Sequence, residues 1–169
     1  MTFLKTSIAA AAIAFAGAAN ADMMPDTVVD IVVGSDAHET LEAAVIAADL
    51  AGTLSGEGPF TVFAPTDKAF GALPEGALEA ALQPENKDML TGILGCHVVA
   101  AKAMAADVVA MVEQGGGTAE VTTIGNCRLN LTVVDGMVKI NDAVTVTAAD
   151  LTAGNGVVHV IDGVLMPAM

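Results

Sequence analysis

Apolar residues recur along this chain with two periods, and the change between them divides it. In the earlier part they return every three to four residues, as one face of a helix requires. Leu41 and Val45 stand i and i+4, Met89, Leu90, Ile93 and Leu94 form a stripe, and Met104, Val108, Met111 and Val112 fall at i, i+4, i+7 and i+8. These predict a helix capped by Ser35 or Asp36 with Gly52 past its end, a short one from Pro74 to Leu82, and others over Pro84 to Leu94 and Lys102 to Glu113. A methionine stripe at that spacing reads as packing. After Gly115 to Gly117 alternation takes over, predicting strands at Ala119 to Ile124, Arg128 to Val134, Met137 to Ile140 and Val144 to Thr147. Asp135-Gly136 is a two-residue hairpin signal between two of them.

Three stretches stand out from this pattern. From Asn155 to Pro167 the chain reads NGVVHVIDGVLMP, a turn signal followed by a β-branched run. Val157, His159 and Ile161 point one way and Val158, Val160 and Asp162 the other, so both faces are apolar with a titratable group on each. Such a strand belongs in the middle of a sheet. Asn155 is expected to bond its own turn, His159 to be a hydrogen-bonded core imidazole, and Asp162 to be a buried carboxylate held by backbone or hydroxyl donors. From Thr61 to Phe70, TVFAPTDKAF predicts a strand over Thr61 to Ala64 that Pro65 stops. Thr66 then caps a helix starting at Asp67, whose carboxylate suits the positive helix end, and Phe63 and Phe70 bracket the turn as core. The third stretch, Cys96 to Val99, reads as a strand with Cys96 and Val98 on one side and His97 and Val99 on the other. Thr27 to Val33 is ambiguous: its β-branched residues favour a strand, while Thr27 with Asp30 resembles a helix capping pair. His38 falls in a helical first turn, where exposure is expected. Helices first and strands after describe an α+β domain, and no repeat or linker divides it.

The first residues bear on where the chain works. Lys5, the apolar run Ile8 to Ala18 and the small-x-small Ala19-Asn20-Ala21 before Asp22 form a signal peptide over residues 1–21, too short to span a bilayer. The expected product is exported to the periplasm or beyond, without membrane insertion, as one domain over residues 22–169. Without Lys5 it carries 20 acidic residues against 5 basic ones. That excess argues against nucleic acid, whose phosphates demand Lys and Arg. No Asp-x-Asp-x-Asp-Gly loop supports specific calcium binding. Trp and Tyr are absent, and Phe60, Phe63 and Phe70 are the remaining rings, so no aromatic platform for sugars or bases is expected.

In an exported chain Cys96 and Cys127 are expected to pair. Little else in the sequence carries chemistry. There is no Gly-x-Ser-x-Gly elbow, no phosphate-binding glycine loop, and no nucleophile context around Ser35 or Ser55. His97 and His159 lie on strands that could approach one another, yet no His-x-x-x-His or Cys-x-x-Cys spacing supports zinc. Neither catalysis nor a cofactor is expected. A buried neutral His97 would make the fold acid-sensitive. Asn130-Leu131-Thr132 is a glycosylation sequon by pattern alone, set inside a strand.

TVFAPTDKAF and NGVVHVIDGVLMP, in this order, resemble the two signature segments of the fasciclin domain, and LTGILGCHVVA between them resembles that family's central helix-to-strand segment. The resemblance covers about Asp26 to Pro167. It implies a helix for Thr27 to Val33 and a wedge-shaped, mostly antiparallel sheet with N-terminal and central helices packed on it. It makes Thr61, Phe63, Pro65, Thr66, Asp67, Phe70, Asn155, Gly156, His159 and Asp162 motif residues of the scaffold. It also implies an adhesion or interaction module, without catalysis, that binds a protein or cell-surface component as a monomer or weak oligomer. In animal relatives a Tyr-His pair in the central segment is implicated in adhesion; here Cys96 replaces the Tyr and His97 alone matches as a binding residue. The alternative is an exported protein that binds a small molecule or metal ion in a pocket near His97 and His159.

Overall fold

The structure is a computed structural model that describes residues 25–166; the expected leader over residues 1–21 and the closing Pro167 lie outside the described residues. The chain opens with α1 (Val28–Val33), where Thr27 and Asp30 each accept the other's backbone N–H in a capping box, so local capping overrides the strand propensity of the valines. Then come α2 (Glu39–Ala47) and the single turn α3 (Ala51–Leu54). The first strand, β1 (Phe60–Pro65), runs into α4 (Asp67–Gly71), whose first turn is capped by the Thr66 hydroxyl accepting from Ala69 N–H. α5 (Ala77–Ala81) and a 3₁₀ turn at Pro84–Asn86 lead into α6 (Lys87–Gly95), the short strand β2 (Val98–Val99) and α7 (Ala105–Gln114). The β half follows as β3 (Ala119–Thr122), β4 (Arg128–Val134), β5 (Met137–Ile140), β6 (Val144–Ala153) and β7 (Gly156–Ile161). Asp135 and Gly136 both take positive φ between β4 and β5, as a tight hairpin requires.

These strands form one seven-stranded sheet in the order β2-β1-β7-β6-β5-β4-β3. Neighbours are antiparallel except β1 and β7, which run parallel in a register that places Phe63 opposite His159 and Phe60 opposite Gly156. Every residue of β7 is buried, as expected of a central strand. Alternation on β1 and β7 serves two cores. Val62, Ala64 and Val158 join the helical core with Val28, Leu41, Leu90 and Leu94, while Phe63 and Ile161 join a second core with Val108, Val112, Leu129 and Ile140. The architecture is α+β with a mostly antiparallel sheet, as the sequence implied.

Several local expectations need correction. Cys96 and His97 are not strand residues: Cys96 N–H donates to the Gly92 and Ile93 carbonyls and His97 N–H to Leu94, so helical bonding carries α6 through them and leaves only Val98 and Val99 extended. His38 is buried, not exposed, and it rather than Ser35 or Asp36 occupies the N-cap of α2. Gly52 lies inside α3 instead of ending α2, and Gly76 in the left-handed region delays α5 to Ala77. Met89 and Met111 face solvent although Leu90, Leu94, Val108 and Val112 of the same stripes are buried. β6 runs six residues beyond Thr147, over Ala148, Ala149 and Asp150, a stretch of low strand propensity carried by pairing with β7 through two register shifts.

Candidate functional site

The polar residues singled out by sequence gather along the β1–β7 pair and the segments that close over it. Thr61, fully buried on β1, donates its hydroxyl to the Ala101 carbonyl and accepts from Ala103 N–H at 2.9 Å. His159, directly across the parallel register from Phe63, stacks on its ring at 5.7 Å between centroids. Its Nε2–H donates to the Ala103 carbonyl at 2.7 Å, and its Nδ1 accepts from Asp150 N–H at 3.3 Å, which sets the tautomer. Thr61 and His159, on the same face of the sheet, thus both hold residues 101–103 just before α7 begins. Asp150, at a positive φ in β6, completes the arrangement: its carboxylate accepts from Ala105 N–H at 2.7 Å in the first turn of α7. Asp150 belongs to no sequence motif; an Asp amid alanines and threonines, able to take αL backbone, is the one local signal that marks the bulge.

His97 closes α6. Its Nδ1–H donates to the Ile93 carbonyl at 2.8 Å, its Nε2 accepts from Leu165 N–H at 2.8 Å, and its own carbonyl accepts from Phe63 N–H at 2.7 Å. One residue therefore ties α6, β1 and the segment after β7 together. His97 as a whole is 1% exposed, and burial pulls its pKa from 6.5 to about 4 against the opposing pull of the Ile93 carbonyl. Beside it Cys96 and Cys127 form a disulfide with Cα atoms 5.2 Å apart, joining the end of α6 to the loop between β3 and β4. Gly95 and Gly125 touch backbone to backbone at the same place, and a Cβ on either would collide with the other. Gly95-Cys96 and Gly125-x-Cys127 were a sequence signal for that close approach.

Asn155 does more than bond its own turn. Its Oδ1 accepts from Val28 N–H at 2.8 Å and its Nδ2 donates to the Leu54 and Gly56 carbonyls at 2.7 and 2.9 Å, so one amide joins the start of α1, the end of α3 and the head of β7. Gly156 is required by contact, since a Cβ there would run into the Phe60 carbonyl of β1. Asp67 caps a helix other than its own: its carboxylate accepts from Thr40 N–H at 2.8 Å in the first turn of α2. That bond, first among several causes, lowers the Asp67 pKa. His38 sits alongside with Nδ1 on the Ser35 hydroxyl at 2.8 Å, its pKa lowered by burial. Asp162 corrects the expectation of a buried carboxylate: β7 ends at Ile161, and Asp162 is exposed, though it still accepts from Thr145 N–H at 2.8 Å. Pro65 ends β1 and Phe70 is buried in the helical core.

His97 and His159 both bear on Phe63, one through the backbone and one through the ring, yet they face different spaces. His97 borders two apolar pockets on the helical side, while His159 borders a small one beside Phe63, Val108 and Val138. Among the described residues no three His, Cys, Asp or Glu side chains group closely enough to hold a metal ion, and no helix is long and apolar enough to cross a membrane.

The Fasciclin domain family model matches residues 36–167. The chain is 52% identical over 143 residues to Protein sll1483 of Synechocystis sp., covering 85% of this chain and 74% of that protein. It is also 36% identical over 141 residues to the transforming growth factor-beta-induced protein ig-h3 of Sus scrofa, covering 83% of this chain but 19% of that far longer one. A solved FAS1 domain pair from the insect cell adhesion molecule Fasciclin I superposes with a TM-score of 0.75 at 19% identity, covering 84% of this chain and 51% of the pair. Helices, mixed sheet and signature segments all agree with these matches, and the chain belongs to the fasciclin domain family.

Proposed function

We propose that this chain is an exported, single-domain adhesion module that holds a protein or cell-surface component and does not transform it. The observation that carries this is the fate of the signature polar residues. Thr61, His97, His159 and Asn155 turn their side chains inward onto backbone groups, and Asp67 caps α2, which makes a rigid frame and leaves recognition to the surface. Family membership and the name of Fasciclin I as a cell adhesion molecule support the same reading. Export rests on Lys5, the apolar run and Ala19-Asn20-Ala21, and the Cys96–Cys127 bridge suits an oxidising compartment. In this account His97 positions the frame and does not itself touch the partner.

The contact surface is apolar and helical. Val33 on α1 and Ile46 on α2 are 51% and 61% exposed and border the same groove, the kind of anchor that partner binding uses. A single module gives monovalent contact, so weak self-association would raise its avidity. The test is retention of cysteine-intact protein on the native cell envelope, beside a Val33→Asp, Ile46→Asp double variant. Saturable retention that the double variant loses at least tenfold, with an unchanged melting temperature, is expected. Equal retention of both proteins overturns the assigned surface, and absence of retention overturns adhesion.

A further inference from the structure

The helical side holds a second, larger apolar space, enclosed by α5, α6 and the segment after β7. Its volume is about 200 Å³, and its walls include Phe70, Leu78, Leu90, Ile93 and Val164. By contrast, the groove between α1 and α2 measures about 30 Å³, room for little more than a water. Met89 and Met166, 58% and 55% exposed, flank the larger space, and flexible thioethers suit an entrance that must adapt to its occupant.

What the walls lack decides the chemistry of the guest. No charged side chain lines the space, and its single polar one, His97, has both ring nitrogens engaged, by the Ile93 carbonyl and the Leu165 N–H. A carboxylate, phosphate or hydroxyl entering here would shed its water and find no partner. An apolar cavity of about 150 Å³ is enough to take benzene. We propose that the space between α5, α6 and the carboxyl-terminal segment binds a small uncharged hydrocarbon group, an aromatic ring or a short branched alkyl end, with any polar part of the ligand left outside past Met89 and Met166.

Methionine-methyl NMR on the disulfide-intact full chain tests this, with toluene as the probe and benzoate as its charged isostere. Toluene is expected to shift the Met89 and Met166 methyl signals saturably, with benzoate at least tenfold weaker. Leu78→Trp, placed to fill the space from a half-buried position, is expected to abolish the toluene response; Leu78→Met, which keeps the volume open, retains it and controls for loss of fold. A linear, non-saturating response, equal shifts from benzoate, or full binding to Leu78→Trp overturns the proposal. So does toluene binding that appears only when residues 167–169 are removed, because the chain's own tail would then be the occupant.

Discussion

A histidine whose two nitrogens are both engaged inside the protein resists a proton, and His97 is such a residue. Well above pH 6.5 its ring is neutral folded and unfolded alike, so it adds no pH dependence there. As pH falls towards the folded value of about 4, the unfolded chain takes up a proton that the folded one refuses, and stability is lost. The loss at pH 4 is about 3 kcal/mol from this group. Urea midpoints measured between pH 7 and 4 are therefore expected to fall more steeply for the native chain than for His97→Gln, and parallel curves would remove His97 as the sensor. Asn155 makes a second prediction. Asn155→Asp keeps the acceptor for Val28 but aims a charge at the Leu54 and Gly56 carbonyls, so it is expected to lose about 2 to 4 kcal/mol at pH 7 and to regain part of that at pH 4. Asn155→Ala, with no charge to neutralise, is expected to show no such recovery. The turn role of Asn155 was legible because Asn-Gly is a local signal, whereas its three partners were not, since Leu54 is 101 positions away and Val28 is 127.

Among elements, the parallel pair of β1 and β7 meets backbone against backbone at Gly156. Gly156→Ala places a methyl against the Phe60 carbonyl and is expected to cost over about 3 kcal/mol or prevent folding, read by soluble yield and thermal melting. The Cys96–Cys127 bridge closes a separation of 31 residues, which on the chain-entropy view contributes about 3 to 4 kcal/mol. A Cys96→Ala, Cys127→Ala variant is expected to melt well below the native protein under non-reducing conditions, with the two converging under reductant. Element identity was largely legible in the sequence. β4 and β5 match their predicted bounds, and the Thr66 cap appears as read. The misreadings arose where one element depends on another. β6 extends through Ala148 to Asp150 because β7 pairs with it, and Asp67 caps α2 because α4 packs there.

For the whole molecule, charge and apolar surface divide the labour. Twenty acidic residues against six basic ones give a formal charge of −14 over the complete chain, which repels anionic surfaces. The purified protein is therefore expected not to sediment with anionic lipid vesicles at low salt, and co-sedimentation would show that charge does not govern its choice of surface. Exposed apolar side chains such as Val33 and Ile46 are the surface that the proposed docking would use.

The sequence by itself determined whatever is written within a few residues: the two hydrophobic periods, the Thr66 helix cap, the Asp135-Gly136 hairpin, and a closing strand apolar on both faces that had to lie mid-sheet. Two cysteines behind an expected export leader were enough to expect their bridge. Only the tertiary structure decided that His97 accepts from Leu165, 68 positions away, that His38 is buried, that Met89 stands in solvent and that Asp162 escapes the core. Helical and strand periods arise from local backbone geometry, which the chain carries everywhere. The partner of a buried polar group depends on which distant backbone donor or acceptor the completed fold brings beside it, and local pattern holds no record of that.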